Sequence, residues 1–464
     1  MNAKKNRYCN ILLLNPPFTK KIQRDFLCSA SSKAKYYWPP IDFVVLSGIL
    51  KDYNVTILDC IIENKNISSI NHTIRNKKID FIITLCSAVS LYEDLKTFKH
   101  IKLRCPKVKI IVIGDIAFFE SKNIIKNKYI DAILLDFSSQ EIKKYIKGDA
   151  KVKDILFKNK GKIIFNSKSN SKTFSYDKCQ IDLFKIRKYN IPYGKFHPFL
   201  PILVNYGCQF NCTFCASNKI GFKQRTLDEV VNEIKYYSQQ GIKEVFIRDF
   251  TFTVSKERTR DFCQRLINEK INIAWSCHGR VNQVDSKILK LMKKAGCYLI
   301  FFGVESGNQD QLNKIQKGIT IKQIKNVFEE CNKLGLKTLA SFIIGLPNDT
   351  KEGILDTIIL SKKLRCNYAS FNLYVPRHGS VLGENILKKI KIKGYNYFDS
   401  STDFYNLTKI PFKEVIELHK YAIKKFYFSP KYIIRQIKEI DSWIQLKYYI
   451  INGLELIKRL IKHE

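Results

Sequence analysis

The sequence predicts an α/β protein with a Rossmann-like (flavodoxin-like) domain, a partial barrel and a helical tail. The prediction depends on two observations. Short apolar segments alternate with helical segments over residues 1–150, and the same alternation returns over residues 196–394. Alternation of this kind indicates parallel strands connected by helices. Residues 151–195 lack clear periodicity and are predicted to be a linker, and residues 395–464 are predicted to form a helical region.

The first domain is predicted from apolar segments that suit buried strands. These segments are NILLLNPP, NVTILDC, IDFIITLCSA, KVKIIVIGD and IDAILLDFS, with the helical segments PIDFVVLSGILKDY and LYEDLKTFKHIKLRC among them. In a doubly wound sheet a ligand binds beyond the carboxyl ends of the strands. The loops Asn15–Phe18 and Ser87–Ser90 are therefore candidates for a binding edge.

The second domain is predicted from six further strand segments that are separated by helical stretches. These segments are LPILVNYG, KEVFIRD, NIAWSC, CYLIFFGVES, KTLASFIIGLP and NYASFNLYVP. Six β/α units are fewer than the eight of a closed barrel, so we expect a partial, TIM-like (β/α)6 barrel. Its functional site should lie at the carboxyl ends of the strands.

The bulk composition is ordinary for a soluble globular protein. Of the 464 residues, 45% are hydrophobic and 26% are charged. No apolar run approaches the roughly 20 residues needed to span a bilayer. The opening segment MNAKKNRYCNILLLNPPF contains too short an apolar run for a signal peptide. We therefore expect a cytoplasmic protein whose 14 cysteines stay reduced.

The formal net charge of +38 raises the question of a nucleic-acid partner. The lysines are spread over every segment and form no basic arm, so nucleic acid is not the expected partner. An acidic substrate or an anionic membrane surface suits the charge equally well. The tail, which includes Trp443, Tyr448 and Tyr449 among lysines, suits either a helix that covers the barrel or a peripheral membrane contact.

Cys208, Cys212 and Cys215 lie together in VNYGCQFNCTFCASN, directly after the first strand of the second series. A structural zinc site needs four ligands, and the next cysteine is Cys263. A disulfide is disfavoured in a reducing compartment. An iron–sulfur cubane normally has four thiolate ligands. A cubane held by three leaves one iron open to bind a substrate or cofactor, which favours a cluster at this triad.

The pattern Cys-x3-Cys-x2-Cys, with Phe214 before the last cysteine, resembles the signature of the radical S-adenosylmethionine (SAM) superfamily. The resemblance implies a 4Fe-4S cluster on Cys208, Cys212 and Cys215, with SAM at the open iron. It also implies an external electron donor of the flavodoxin or ferredoxin type. Reduction then splits SAM into methionine and a 5′-deoxyadenosyl radical.

The resemblance extends over the second domain and implies further SAM contacts there. They are Arg248 and Asp249 near the amino group, Arg280, Glu305 and Ser306 around the ribose and carboxylate, Ile343 to Gly345 against the adenine, and Val375 with Pro376 at the sixth strand. A surface salt bridge is the alternative for the first two. SAM carries a carboxylate, an amine and a sulfonium, so it requires a base, acids and backbone donors. Tyr206 and His278 are candidates for a proton donor or for packing.

The segments LLLNPPF and YYWPPIDFVVLSGIL resemble the cobalamin (B12)-binding domain of one branch of that superfamily. The resemblance implies cobalamin contacts at Asn15, Pro16, Ser87 and Gly114. The Asp-x-His-x-x-Gly loop of many B12 proteins is missing, so the lower axial position on cobalt is expected to hold water or nothing. Asp115 stands where a second glycine is expected, and its side chain would meet the nucleotide tail.

The leading hypothesis is a cobalamin-dependent radical SAM methyltransferase that methylates an unactivated carbon of a small molecule or lipid. A radical SAM enzyme of the same architecture that cyclises, rearranges or oxidises its substrate is the first alternative. A methylthiotransferase is disfavoured, because the first domain lacks three cysteines arranged for a second cluster. A basic scaffold or nucleic-acid-binding protein with a redox-sensing cluster is the alternative of another class.

Overall fold

The protein is known here from a computed structural model, which describes residues 9–24, 26, 29–31, 37–191, 193–389 and 405–440, and some residues between 443 and 458. Contacts within this part of the chain define two compact units. The described residues up to Tyr189 form the first unit, and those from Asn190 onward form the second.

The first unit is built on one large sheet. Its described strands are β1 (Asn10–Asn15), β2 (Ile22–Gln23), β3 (Ala30–Ser31), β4 (Asn54–Asp59), β5 (Phe81–Leu85), β6 (Lys109–Ile113), β7 (Ala132–Leu134), β8 (Ile155–Asn159) and β9 (Lys162–Phe165). The sheet order is β4-β1-β5-β6-β7-β8-β9, and β2 pairs with β3 separately. The run from β4 to β7 is parallel. Taken in chain order, these parallel strands follow the 2-1-3-4-5 arrangement of flavodoxin-like folds, which confirms the predicted fold class.

Helices connect these strands. They are α1 (Ile41–Ile49), α2 (Cys60–Glu63), α3 (Ile67–Asn76), α4 (Leu91–Arg104), α5 (Asp115–Phe119), α6 (Ser121–Ile124) and α7 (Glu141–Ile146). Every residue of α1 is buried, because later chain covers it. Gly48 illustrates this close packing, since an added Cβ would lie 2.0 Å from the carbonyl oxygen of Asp177.

The predicted linker over residues 151–195 is wrong for its first part. Strand β8 pairs antiparallel with β7, and β9 pairs antiparallel with β8, so both belong to the sheet. The turn between them contains Lys160 and Gly161, both with positive φ. Most of the side chains of β9 are exposed, and no helix separates the two strands. The segment therefore departs from the alternation of strand and helix on which the prediction depended.

The second unit contains the predicted partial barrel. Its described strands are β10 (Phe199–Ile202), β11 (Asn205–Gly207), β12 (Phe222–Gln224), β13 (Glu244–Ile247), β14 (Ala274–Gly279), β15 (Cys297–Glu305), β16 (Lys337–Ile344) and β17 (Tyr368–Leu373). Within the described chain, the six strands β10, β13, β14, β15, β16 and β17 form one sheet in chain order. All neighbouring strands in it are parallel. This confirms the predicted (β/α)6 architecture.

The helices of the second unit are α8 (Leu227–Gln239), α9 (Lys256–Asn268), α10 (Ser286–Lys294), α11 (Gln309–Lys314), α12 (Ile321–Leu334), α13 (Lys351–Lys363), α14 (Val381–Leu387), α15 (Phe412–Tyr427) and α16 (Pro430–Lys438). Helix α15 packs on the outer side of the barrel, with Phe426 against Phe371. The hydroxyl of Tyr427 donates to the carbonyl oxygen of Ala369 and accepts the N–H of the same residue, which reinforces the contact. Among the described helices, none has the length and apolar content to cross a bilayer.

Candidate active site

The cysteine triad lies in the loop that connects two short paired strands, which the sequence did not predict. Strands β11 and β12 pair antiparallel, with Gly207 opposite Phe222. Gly207 has a φ of 75°, and an added Cβ would lie 1.6 Å from the carbonyl oxygen of Gly221. Only glycine tolerates both the positive φ and this approach. The hairpin therefore fixes the path of the backbone immediately before Cys208.

The three thiols lie in a largely buried environment. Cys208 and Cys212 are buried, and Cys215 is partly buried. The Sγ atom of Cys215 lies 3.1 Å from the hydroxyl of Ser217. Burial raises the pKa of the Cys215 thiol, the hydrogen bond from Ser217 lowers it, and the two neighbouring thiols raise it again. Thiols of this kind become thiolates when a metal replaces the proton.

The three thiols are the type of donor that holds an iron–sulfur cluster. In the part of the chain that the structure describes, no three His, Cys, Asp or Glu side chains converge as ligands of one ion. A cubane takes each thiolate on a different iron, so its ligands need not converge on a point. The hydroxyl of Thr213 is buried and has no hydrogen-bond partner among the described residues, which leaves a polar group beside the thiols for a bound cofactor.

Arg280 contacts the triad directly. Its guanidinium lies 4.0 Å from the ring centroid of Phe210, and its Nη1 donates to the Sγ atom of Cys212 at 3.4 Å. Its Nη2 donates to the carbonyl oxygen of Lys317. The planar guanidinium suits this combination of stacking and directed hydrogen bonds. The structure therefore places Arg280 directly at a thiol.

Glu305 and Lys317 form a buried ion pair at the end of β15. The Nζ atom of Lys317 donates to Oε1 of Glu305 at 2.6 Å, and each side chain is 8% exposed. Glu305 has a φ of 67°, an uncommon conformation for a residue other than glycine. Lys317 has no distinguishing signal in the sequence, because it is one lysine in a lysine-rich chain. Ser306 is buried, and its Oγ accepts the backbone N–H of Asn308 at 3.1 Å.

Asp249 acts on the backbone that leads to the triad. Its two carboxylate oxygens accept the N–H of Val204 and the side-chain amide of Asn205, each at 2.8 Å. Burial raises its pKa to about 7, although these hydrogen bonds lower it. Arg248 is also buried, with its guanidinium 5.7 Å from the ring centroid of Phe246. Because neither side chain is exposed, the alternative of a surface salt bridge is wrong.

The segment predicted to contact adenine, Ile343 to Gly345, lies at the end of β16, and Val375 of the predicted sixth-strand segment follows β17. Ile343 is half-buried and Val375 is buried. Gly345 has a φ of 80°, and its N–H donates to the Asp349 carboxylate at 3.0 Å. Burial raises the pKa of Asp349 to about 7, and the hydrogen bonds from Leu346 and Gly345 lower it. One backbone donor of the predicted adenine segment is therefore already in use.

His278 lies inside the barrel and is neutral. Its ring centroid is 5.0 Å from that of Phe301 and 5.5 Å from that of Phe246. Burial lowers its pKa to about 3, and the charge of Arg248 contributes, although a hydrogen bond from the ring to Asp249 opposes this. The Nδ1 atom lies 3.0 Å from the carbonyl oxygen of Asp249. A carbonyl only accepts, so Nδ1 carries the proton and Nε2 is an acceptor.

This protonation state corrects one interpretation from the sequence. His278 was a candidate proton donor, but a neutral ring with its proton held by a carbonyl presents a lone pair at Nε2. Tyr206, the other candidate, is almost fully buried on β11. Its ring lies 5.3 Å from the Nζ atom of Lys223, so its position suits packing of the hairpin.

In the first unit, the carboxyl ends of β1, β4 and β5 carry a buried polar network. Arg24 pairs with Asp94 at 2.7 Å, and both side chains are almost fully buried. Arg24 also donates to the side chain of Asn15 at 3.0 Å and to the carbonyl oxygen of Pro16 at 2.6 Å. Asn15 in turn donates to Asp59 at 2.9 Å. The Asn15 side chain, predicted to contact a cofactor, is thus occupied within the protein.

The neighbouring loops of this edge are equally well anchored. The hydroxyl of Ser87 lies 2.8 Å from that of Ser90. Gly114 has a φ of 123°, and an added Cβ would lie 2.1 Å from the carbonyl oxygen of Cys86. Oδ1 of Asp115 accepts the N–H groups of Ala88 and Ile116. The Asp115 carboxylate therefore ties α5 to the loop after β5.

Comparisons with known proteins agree with this geometry. Residues 202–360, which include the triad, match the family model of the radical SAM superfamily. Residues 202–360 are therefore a radical SAM domain, and the chain that contains it is an enzyme. The cofactors of such an enzyme are a 4Fe-4S cluster and SAM, and it requires an external reductant.

One curated relative and two solved structures are similar to this chain beyond the radical SAM domain. The chain is 28% identical over 458 residues to an uncharacterized methyltransferase of Pyrococcus horikoshii, with 94% of this chain and 96% of the relative covered. Among solved structures, the fold is similar to that of TsrM, a radical SAM methyltransferase from Kitasatospora setae that was solved with cobalamin and a 4Fe-4S cluster bound. The TM-score is 0.65 at 14% identity, and the superposition covers 82% of this chain and 75% of TsrM. OxsB, a cobalamin-dependent SAM radical enzyme solved with aqua-cobalamin and SAM, has a TM-score of 0.69 at 14% identity, covering 97% and 72%. At these identities the likeness shows the fold.

Proposed function

We propose that this radical SAM enzyme is a cobalamin-dependent methyltransferase that methylates an unactivated carbon of a small molecule or lipid. The observation that carries the proposal is the presence of a flavodoxin-like unit and a cysteine-triad barrel in one chain. TsrM and OxsB share that fold. A relative that aligns over 94% of this chain is named an uncharacterized methyltransferase, which supports methyl transfer over cyclisation or oxidation.

The residues of the barrel bind the cluster and exclude water from the site of the reaction. When bound, the cluster supplies an electron, SAM supplies the radical and the methyl group, and cobalamin carries that group. Cys208, Cys212 and Cys215 hold the cluster in this proposal, and Arg280 offsets part of their negative charge. Phe246 and the other rings around His278 exclude water from the barrel interior, which protects a radical from side reactions.

The edge of the first unit suits cobalamin. The hydroxyl of Tyr37 is buried and has no hydrogen-bond partner in the described chain. Burial is the main cause that raises the pKa of Tyr37, and the nearby Asp59 carboxylate raises it further. The amide groups of a corrin would satisfy such a hydroxyl. Because the side chains of Asn15 and Ser87 are occupied, Pro16 and Gly114 contribute backbone surface in this proposal. Asp115 is held by backbone donors.

The decisive experiment begins with anaerobic purification. We expect an absorption spectrum with iron–sulfur and corrinoid bands together. Incubation with SAM and reductant should yield 5′-deoxyadenosine, and the Cys212→Ala variant should yield none above background. Deuterated-methyl SAM should transfer its label to product. A variant-independent 5′-deoxyadenosine signal would contradict the radical assignment, and unlabelled product with turnover would favour cyclisation or oxidation.

We propose in addition that the enzyme works in the cytoplasm, takes electrons from a flavodoxin- or ferredoxin-type donor and rests on an anionic membrane surface. Ile434 and Ile437 of α16 are 55% and 63% exposed, and Trp443 is 84% exposed. Lys431 and Lys438 of α16 are exposed beside them. Exposed apolar residues flanked by lysines suit the interface of an anionic bilayer.

Vesicle sedimentation tests the membrane contact. We expect the protein to sediment with vesicles of phosphatidylglycerol and phosphatidylcholine, and far less with phosphatidylcholine alone. The double variant I434S/I437S should release it, whereas I359S, at the 50% exposed Ile359 of α13, should not. Equal binding by the two variants would remove the proposal.

A further inference from the structure

The inward-facing side chains of β16 and β17 are more accessible than the outward-facing ones. The outward side is recognised from Phe342, which stacks on Phe371, and from Phe371, which meets Phe426 of α15. Successive residues of a strand point to opposite faces, so the alternate positions face inward. These inward positions are only half-buried, and they are Ser341, Ile343, Ser370 and Asn372. The interior of the barrel therefore contains space for a ligand.

His278 on β14 faces the same interior. Its ring lies between Phe246 of β13 and Phe301 of β15. Phe301 points inward, because its neighbour Phe302 packs against Phe328 of α12 on the outer side, with the ring centroids 5.5 Å apart. His278 is half-buried, whereas the residues on either side of it in β14 are buried. The imidazole thus keeps accessible surface inside the barrel, between two aromatic walls.

The accessible nitrogen of His278 is a hydrogen-bond acceptor. Nδ1 donates to the carbonyl oxygen of Asp249 at 3.0 Å, which leaves the lone pair on Nε2. Nε2 has no hydrogen-bond partner among the residues that the structure describes. Burial lowers the pKa of the ring to about 3, and the charge of Arg248 lowers it further. The imidazole is therefore neutral, and its lone pair is available to a ligand.

The amide of Asn372 also has its donors directed at the protein. Its Nδ2 donates to the hydroxyl of Ser341 and to the carbonyl oxygen of Phe342, each at 3.2 Å. A backbone carbonyl only accepts, so the orientation of the amide is fixed. The other polar atom of this side chain, Oδ1, accepts from the hydroxyl of Ser370 at 3.4 Å. Two inward-facing side chains, on β14 and β17, thus turn acceptor atoms away from their backbone partners.

The surroundings of His278 restrict the charge of a group that meets Nε2. An ammonium there would be repelled by Arg248, whose charge already acts on the imidazole. An oxyanion would bring its own lone pairs against that of Nε2. An uncharged O–H or N–H group meets neither obstacle. Phe246 and Phe301 beside the ring suit an apolar body next to that group, as in ligand sites that combine apolar walls with few polar atoms.

We propose that the substrate presents an uncharged O–H or N–H group to Nε2 of His278 inside the barrel. The inference rests on the proposed function and adds the chemical class of the substrate group that the barrel recognises. The competing explanation is that His278 only fills the interior and ties the carbonyl of Asp249. The two explanations differ in whether Nε2 distinguishes ligands by their hydrogen-bond donors.

Four small probes with the same ring separate these explanations. They are para-fluorophenol, which carries an uncharged donor, para-fluoroanisole, which carries none, para-fluorobenzoate and para-fluorobenzylammonium. Each is titrated by fluorine NMR into the anaerobic, cluster-containing protein with SAM and without reductant. We expect the phenol to bind about three- to tenfold more tightly than the anisole, and more tightly than either ion. Equal affinities for phenol and anisole, tighter binding of either ion, or no saturable binding of the phenol would overturn the proposal.

Two variants then assign the preference to Nε2. H278N keeps an N–H that reaches the carbonyl of Asp249 but has no atom at the position of Nε2, whereas the longer amide of H278Q places an acceptor there. We expect the preference for phenol over anisole to fall below about twofold in H278N and to survive in part in H278Q. The control H72N makes the same change at an exposed histidine of α3 and should keep the full preference. An undiminished preference in H278N would overturn the proposal.

A second measurement covers the case in which H278N loses its cluster or does not fold. Nitrogen NMR of protein labelled at its histidine rings identifies the His278 signals by their absence from H278Q. The phenol should shift the Nε2 signal of His278, and the anisole should leave it in place. Equal shifts with both probes, or none with either, would also overturn the proposal.

None of these measurements requires cleavage of SAM or transfer of a methyl group. They therefore stand if the enzyme proves to cyclise or oxidise its substrate. Failure of the proposed function is read separately, from the absence of 5′-deoxyadenosine and of labelled product, and is distinct from a His278 that ignores donors.

Discussion

Replacement of Asp249 should loosen the backbone that presents the cysteine triad. The carboxylate accepts one hydrogen bond from the backbone of Val204 and one from the side chain of Asn205. Asp249 is fully buried, so water cannot replace these acceptors in the variant D249A. Asn205 begins strand β11, which ends directly before Cys208. The clamp therefore holds the chain at the start of the cluster loop.

The magnitude follows from the two hydrogen bonds. A buried donor left without an acceptor costs about 1–3 kcal/mol, so D249A should lower the free energy of unfolding by about 2–6 kcal/mol. D249N keeps one acceptor oxygen and should cost about half as much. Rotation of the Asn205 amide does not rescue D249N, because its oxygen already accepts from Gln224 at 3.1 Å.

Chemical denaturation of the apoprotein measures the stability, and iron per chain after reconstitution measures the cluster. We expect both to fall in the order native, D249N, D249A. D228A serves as the matched control, because Asp228 is 73% exposed and its ion pair is worth less than about 1 kcal/mol. An unfolding midpoint and iron content of D249A equal to those of D228A would refute the reasoning.

Three further predictions concern backbone space, pH and buried charge. G207A should lower iron content and stability, because its Cβ would lie 1.6 Å from a backbone carbonyl oxygen. The control G221A has no atom within 4 Å of its added Cβ, so it should lose only the stability that its positive φ costs. Equal losses in the two variants would contradict this prediction. Burial raises the pKa of Glu244 to about 7, so the folded state holds a proton between about pH 4.5 and pH 7 that the unfolded state has released. The free energy of unfolding therefore falls as pH rises through that window. In urea titrations at pH 5, 6, 7 and 8, E244Q should show a smaller fall than the native protein. An identical dependence on pH in the two proteins would be inconsistent with a raised pKa at Glu244. R24M leaves Asp94 buried without its partner and should lower the free energy of unfolding by about 3–5 kcal/mol. The double variant R24M/D94L should regain part of this stability. If thermal unfolding shows no recovery, the loss comes from the other hydrogen bonds of the arginine and not from the unpaired carboxylate.

The sequence by itself determined the fold class and the triad. Apolar segments of strand length alternate with helical segments, and this alternation is local, so it is visible without any knowledge of contacts. The spacing of Cys208, Cys212 and Cys215 is also local. Both results follow from residues that are neighbours along the chain.

Only the tertiary structure decided the elements that depend on distant partners. Strands β8 and β9 belong to the sheet because β8 pairs with the free edge of β7 and β9 then pairs with β8. The pKa of His278 depends on burial and on the Arg248 charge. Neither the edge nor the burial is present in the local sequence.

The same reason explains why Lys317 escaped prediction and Asp249 changed role. Lys317 meets Glu305 and Arg280 only through the folded backbone. Asp249 lies far along the chain from Val204, yet its carboxylate is directed at that backbone and not at solvent. Periodicity and spacing report which side of a strand or helix a residue occupies, and the partner it meets there is set by packing between elements.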